Sequence, residues 1–267
     1  MSTPVTAIIP VAGRGTRMRP LTEVVPKELF PVGRLPVLHH VVTELVDGGV
    51  DRIVVVNSPT KPTIADYVRR VLVPEVGYPA GIDIEVVNQG QVPGNGGAIL
   101  TAAQHAGGGP ALVVWGDELF LGPSRVAQLL AAWRATETPI ISVVEVKRED
   151  VSRCGIVLPS GEVGPYLRVQ SIVEKPNPDE LASRTASVGG FLVTDAVLDV
   201  LRTTPPRADG EVYLSTALTT FARSQLLLGC RLGARWYETG SPEGFARAFV
   251  TIAQHERLVP APVIATS

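Results

Sequence analysis

Val5-Thr6-Ala7-Ile8-Ile9-Pro10-Val11-Ala12-Gly13-Arg14-Gly15-Thr16-Arg17-Met18-Arg19-Pro20, continued by Pro26-Lys27-Glu28-Leu29, decides how this chain is read. The apolar run from Val5 to Ala12 predicts a buried strand. It ends in a turn with two glycines and then a burst of positive charge. Gly13 and Gly15 can take backbone angles closed to other residues, and they let a ligand approach the main chain. Consecutive N–H groups in such a turn form a concave anion site. Arg14, Arg17, Arg19 and Lys27 add four cations to the same neighbourhood. A polyphosphate needs this combination. The residue types alone also suit a solvated basic loop after an edge strand. A dinucleotide fingerprint is excluded, because Met18 stands where the third glycine belongs, and the Gly-Lys-Ser/Thr of a P-loop is absent.

At 267 residues the chain can bury a large core. Its net charge of −2 argues against a general nucleic-acid or membrane-surface binder, so neither is expected as a partner. The basic cluster is local and suits a small anion. Cys154 and Cys230 are too few for a disulfide framework and read as reduced core thiols of a cytoplasmic protein. No basic segment precedes the first apolar run, so no signal peptide is expected, and no run is long enough to span a bilayer.

Beyond the first loop, strands and helices alternate. Helices are expected from Pro36 to Gly48, Thr63 to Leu72, and Pro123 to Ala135. Strands are expected at 52–56, 82–87, 111–115 and 140–146. This rhythm predicts an α/β fold with a Rossmann-like, mostly parallel sheet flanked by helices. Ligands of such sheets sit beyond the carboxyl ends of the strands, where the Gly13–Arg17 turn lies. His39 and His40 are sequence neighbours that point in two directions, which does not suit a metal site. Lys147 to Asp150 reads as a solvated turn. From about Arg153, short strands with Gly and Pro breaks are expected.

The third strand runs into Gln89-Gly90-Gln91-Val92-Pro93-Gly94-Asn95-Gly96-Gly97-Ala98, which reads as a loop. A glutamine amide can donate and accept at once, so Gln89 can read a base edge. The fourth strand ends in Trp115-Gly116-Asp117. A carboxylate at a central strand end, facing a phosphate loop, suits Mg²⁺, although a turn or cap aspartate fits equally. Trp115 is expected in the core.

The whole string Gly-x-Gly-Thr-Arg-Met-x-Pro with Pro-Lys-Glu-Leu closely resembles the nucleotide-binding signature of sugar-1-phosphate nucleotidylyltransferases, nearest to the bacterial UTP–glucose-1-phosphate uridylyltransferases. The Gln-Gly and Gly-x-Gly-x-Ala at 89–98, Glu174-Lys175-Pro176, Val188-Gly189-Gly190-Phe191, the stretch from Asp209 to Leu218, and Trp236-Tyr237-Glu238-Thr239-Gly240 resemble further family motifs in the same order. The resemblance covers about residues 5–255. It implies a GT-A-like nucleotidyltransferase fold with an inserted sugar-binding β region. It also implies one domain over 1–260, with nucleotide binding in about 1–150, sugar binding and metal completion in about 151–240, and a tail at 261–267.

The resemblance further implies roles for single residues. Ala12, Gly13, Gly15 and Thr16 would cradle the nucleotide, and Gln89 and Gly94 would hold the base. Arg17 and Lys27 would hold the triphosphate, and both are expected to be partly exposed. Lys175 would meet the sugar phosphate, and Glu174 and Gly189 would shape the sugar pocket. Asp117 and Glu238 would hold Mg²⁺. Two departures stand out: Glu238 and Thr216 each occupy a position where the family pattern has aspartate. The implied reaction joins an NTP, UTP first, to a sugar 1-phosphate, glucose 1-phosphate first, and releases pyrophosphate. Another nucleotide with another hexose or cyclitol phosphate, or a non-catalytic nucleotide-binding paralogue, are the alternatives. The family often assembles into dimers or tetramers.

Overall fold

The first strand, β1 (Thr6–Pro10), is buried on both faces because its side chains alternate between two cores. Ala7 and Ile9 enter one cluster, and Ile8 enters the other with Val54 and Val56. The computed structural model describes residues 4–259, so the expected tail lies outside the described residues. After β1 come the hairpin strands β2 (Pro31–Val32) and β3 (Leu35–Pro36), helix α1 (Val37–Gly48) and strand β4 (Arg52–Asn57). Then follow α2 (Pro62–Tyr67), which continues as a π-helical stretch over Val68–Gly77, α3 (Tyr78–Ala80), β5 (Asp83–Asn88), α4 (Gly94–Ala103) and β6 (Ala111–Val113). Next are β7 (Glu118–Leu121), α5 (Arg125–Thr136), β8 (Ile140–Glu145), β9 (Gly155–Val163), β10 (Tyr166–Glu174) and β11 (Thr185–Val193). The chain closes with α6 (Asp195–Arg202), α7 (Leu214–Ala222), β12 (Leu228–Arg231), β13 (Arg235–Glu238) and α8 (Pro242–His255).

Nine strands form one sheet in the order β5-β4-β1-β6-β11-β8-β12-β10-β9. The α/β class holds, and the parallel stretch is its first part: β4 and β6 flank β1 in parallel, with Ile8 opposite Val54 and Val113. Beyond β6 the sheet is mixed. β11 enters antiparallel to β6 and β8, β12 is parallel to β8, and β10 and β9 are antiparallel. A small ribbon of β7 and β13 stands apart from this sheet. Fully buried Ile8, Ile9, Ile53 and Leu112 contribute about 1.5–3 kcal/mol each from burial.

Three expectations differ from the structure. Gly94 to Gly97 open α4 instead of continuing the loop. Gly94 and Gly96 are glycines because the segment before α7 lies against them, so that a Cβ on Gly94, at φ +87°, would lie 2.5 Å from the Val212 carbonyl oxygen; Gly97 is one because the Val92 carbonyl lies against it. The region after Arg153 holds three strands of nine residues each, not short ones. The expected helix 63–72 runs on to Gly77 and widens to π geometry around Pro74, which has no N–H to close an α turn. The histidines are structural: His39 Nδ1 meets Tyr67 OH at 2.9 Å and His40 Nε2 meets the Val32 carbonyl at 2.8 Å. Cys154 and Cys230 are free and buried. Among the described residues no helix is long and apolar enough to cross a membrane.

Candidate active site

β1 ends against a cleft, as the parallel half of the sheet requires. The loop that follows turns at Gly15, in the left-handed region at φ +63°, and Thr22 Oγ1 donates to its carbonyl at 2.8 Å. Arg14, Thr16 and Arg17 are exposed along it. Ala12, Gly13, Gly15, Thr16 and Lys27 line a cavity of about 610 Å³ with Gln89, Gly94 and Asp117. The Gln89 amide group donates to the carbonyls of Val92 (2.8 Å) and Gly94 (3.0 Å). Both acceptors are carbonyls, so both N–H groups are spent and only Oε1 is left to face a ligand.

Lys27 forms an ion pair with Asp117, with side-chain exposures of 14% and 20%. Lys27 is partly exposed, as expected, and a short 3₁₀ turn over Lys27–Leu29 sets it beside Asp117. Burial opposes the Lys27 charge, but Asp117 and Glu28 outweigh it and hold its pKa above the ordinary value. Burial likewise opposes ionisation of Asp117, and Lys27 and Arg17 outweigh that and keep the carboxyl below its usual range. Behind Lys27, Glu28 accepts from Lys61 at 3.1 Å, and Lys61 also donates to the Val11 carbonyl at 2.8 Å. A chain of alternating charge thus ties the end of β1 to Asp117. Lys61 was not singled out from sequence, because a lone lysine between a turn and a proline carries no pattern.

Asp117 and Glu238 lie 121 positions apart and meet through the β7–β13 ribbon, where Glu238 stands opposite Glu118. Thr239 N and Oγ1 both donate to the Asp117 carbonyl, at 2.8 and 2.9 Å. A Cβ on Gly240 would lie 2.6 Å from Asp117 Oδ2, 3.1 Å from an Arg17 guanidinium nitrogen and 3.5 Å from Glu238 Oε2. Gly240 therefore keeps open a space onto which two carboxylates and a cation converge. Mg²⁺ is held by one or two carboxylates plus phosphate oxygens, so this donor set fits it. The longer Glu238 is accommodated at the start of α8. Its carboxylate accepts from Gly240 N (2.9 Å) and Ser241 Oγ, and it lies where a side chain on Gly244 would otherwise stand.

A second cavity of about 370 Å³ opens on the other side of Asp117, bounded by Arg17, Glu174, Ser187, Phe191, Tyr237 and Glu238. Asn95, Trp115 and Asp117 line both cavities, so the two are lobes of one cleft. Trp115 packs on Phe191 (ring centroids 5.2 Å apart) and also faces both lobes, which corrects its expected place in the core alone. Lys147, Asp150 and Arg153 form the rim of the second lobe, so the expected solvated turn is part of the cleft. Glu174 Oε2 accepts from Ser215 Oγ at 3.1 Å.

Behind this lobe, the Gly189 N–H donates to Glu118 Oε2 and its carbonyl accepts from Arg125 Nη1, each at 2.6 Å. Arg125 is fully buried, pairs with Glu44 at 2.7 Å and stacks 4.2 Å over Phe120. Burial, then repulsion from Asp117, push the Glu118 carboxyl up to about 8, against the pull of Arg125.

The sequence profile of the Nucleotidyl transferase family matches residues 6–255, nearly the whole chain. The chain belongs to this family. A UTP–glucose-1-phosphate uridylyltransferase of Streptococcus pyogenes is 30% identical, over 92% of this chain and 88% of that one. A UDP-glucose pyrophosphorylase solved with UDP-glucose superposes with a TM-score of 0.86 at 26% identity, covering 95% of this chain and all of the other. A UTP-bound UGPase from Acinetobacter baumannii shares the fold at 24% identity, with a TM-score of 0.80 and coverage of 95% and 94%.

Most positions expected from the nucleotidyl transferase motifs line the two lobes, and two do not. Lys175 is exposed and absent from the lining. Its backbone lies at φ +49°, in the left-handed region, so the chain changes direction after Glu174. Gly189 is buried, and a Cβ there would lie 2.8 Å from both Glu118 Oε2 and Trp115 N. Packing against β6–β7 accounts for this glycine without any ligand. Glu118, Arg125 and Lys61 were missed from sequence. For Glu118 there was a signal, since two adjacent carboxylates rarely both face one crevice as ions.

Proposed function

We propose that this nucleotidyl transferase moves a uridylyl group from UTP to glucose 1-phosphate, giving UDP-glucose and pyrophosphate. The observation that carries this reading is the two-lobed cleft meeting at Asp117, in a chain 30% identical to a uridylyltransferase over nearly all its length. The attacking phosphate oxygen is already ionised, so the reaction needs no general base. It needs two polyanions held in line against their repulsion.

In this reading the loop from Ala12 to Thr16 and Lys27 hold the triphosphate. Arg17, which lines the sugar lobe beside Asp117, neutralises the phosphate that attacks. Gln89 Oε1 accepts from a ring N–H of the base over Gly94. Glu174 accepts from hydroxyls of the sugar. Lys175 approaches from the rim and Gly189 acts through the wall behind. Asp117 and Glu238 hold Mg²⁺, which supplies charge neutralisation at the α-phosphate and the leaving group when bound. Residues 1–260 act as one domain, because the sheet runs unbroken from the nucleotide half into the sugar half.

The experiment is pyrophosphate release with Mg²⁺, five nucleoside triphosphates and a panel of sugar 1-phosphates. UTP with glucose 1-phosphate is expected to exceed every other pair. A different preferred pair would keep the chemistry and reassign the substrates. No release with any pair would overturn the reading.

A further inference from the structure

Asn95 stands at the unspecified position of Gly-x-Gly-x-Ala, and the proposed reaction gives it no role. It follows Gly94 in the first turn of α4 and lines both lobes, beside Trp115 and Asp117. Its Oδ1 accepts from the Leu214 backbone N–H at 2.8 Å. Because that partner is a donor, the atom facing it must be the oxygen, and the orientation of the amide is fixed. The Nδ2 group therefore turns the other way. It makes no hydrogen bond among the described residues, and the side chain that carries it belongs to a residue lining both lobes.

The next residue after Leu214 is Ser215, which donates to Glu174 Oε2 at 3.1 Å. Successive residues at the start of α7 thus fix a neutral donor, Asn95, and an acceptor, Glu174, along one edge of the sugar lobe. Phosphate oxygens in this cleft already have Arg17 and Lys27. A neutral amide donor set beside a carboxylate suits a ring hydroxyl, which can accept from one and donate to the other.

Resting on the functional reading above, we propose that Asn95 binds the sugar 1-phosphate, donating Nδ2–H to a ring hydroxyl next to the one read by Glu174. It is a binding residue that sets sugar specificity.

The test uses the full chain and three proteins: wild type, Asn95→Asp and Asn95→Ala. Asn95→Asp keeps the oxygen that accepts from Leu214 and removes the donor; Asn95→Ala removes both. Glucose 1-phosphate binding is read by calorimetry with a non-transferable UTP analogue present, which needs no turnover. Asn95→Asp is expected to weaken sugar-phosphate binding about ten-fold or more. Its melting temperature should stay near wild type, as should the affinity of the uncharged Asn95→Ala for the UTP analogue. Among singly deoxygenated glucose 1-phosphates, one should lose a similar factor on wild type and nothing further on Asn95→Asp. Asn95→Ala should show the same binding loss with a lower melting temperature. Unchanged sugar-phosphate binding in Asn95→Asp, a loss confined to the nucleotide, or additive losses for every deoxygenated analogue would each overturn the proposal. Weakened binding without turnover in wild type would leave Asn95 in place and remove the reaction instead.

Discussion

Lys27 and Asp117, 90 positions apart, form a part-buried ion pair where the two lobes of the cleft meet. A phosphate that contacts Lys27 therefore shares it with a carboxylate.

Removing one partner leaves the other charged and part-buried. Lys27→Met should cost about 3–5 kcal/mol of stability, and it should lower turnover about 10²-fold or more. Lys27→Met combined with Asp117→Asn should recover most of the melting temperature and none of the activity. Recovery of activity in the double variant would remove both residues from the chemistry.

Glu238, the last residue of β13, shares the space over Gly240 with the Asp117 carboxylate and accepts from Gly240 N and Ser241 Oγ. Glu238→Ala should raise the Mg²⁺ concentration for half-maximal pyrophosphate release about ten-fold or more. A chelator should abolish release by the wild type. An unchanged Mg²⁺ requirement in Glu238→Ala would assign Glu238 to the capping of α8 alone.

The Gln89 amide has spent both N–H groups within its own loop, so it can only accept from a base. Uracil, thymine and guanine present a ring N–H; cytosine and adenine present a ring acceptor at the matching position. UTP, dTTP and GTP should therefore exceed CTP and ATP in kcat/KM by about ten-fold or more. Gln89→Glu should raise KM for the nucleotide and leave KM for the sugar phosphate unchanged, since a carboxylate cannot donate to the Val92 and Gly94 carbonyls. Equal use of all five nucleotides would remove Gln89 from base reading.

Glu118, pushed up to about 8, binds a proton in the folded chain at pH values where the unfolded chain has released it. For such a group the folded state holds more protons above the unfolded pKa, and stability falls as pH rises toward the folded pKa. Glu118→Gln keeps an acceptor for the Gly189 N–H and removes this loss. Its melting temperature, measured with chelator present, should rise above wild type by a few degrees at pH 8, and the gain should shrink toward pH 5. A gain independent of pH would assign the effect to packing.

The glycine-rich loop after β1 was legible from sequence because its signal is local: an apolar strand, then glycines, then cations. Asp117 was legible for the same reason, as a charge at a strand end. Gly94 and Gly189 are expected to make room for a ligand, yet both glycines are required by protein contacts, with Val212 and with Trp115 and Glu118. Sequence does not separate a glycine that admits a ligand from one that admits a backbone. Lys61, Arg125 and Glu44 act through partners 33 to 81 positions away, and no spacing along the chain announces such a pairing. The mixed half of the sheet was hidden likewise, because β12 comes late in sequence and lies between β8 and β10.

That late strand sets an order of events during synthesis. Until β12 has left the ribosome, the edges of β8 and β10 that it will join have no partner, and the sugar half of the sheet cannot close. The glycine-rich loop, Lys27 and Asp117 emerge more than a hundred residues earlier, and Glu238 follows β12 by only a few. A nascent chain therefore carries the first loop, Lys27 and Asp117 long before Thr239 arrives to hold the Asp117 carbonyl. A message truncated before β12 would yield a chain lacking both the strand that closes the sheet and the second carboxylate.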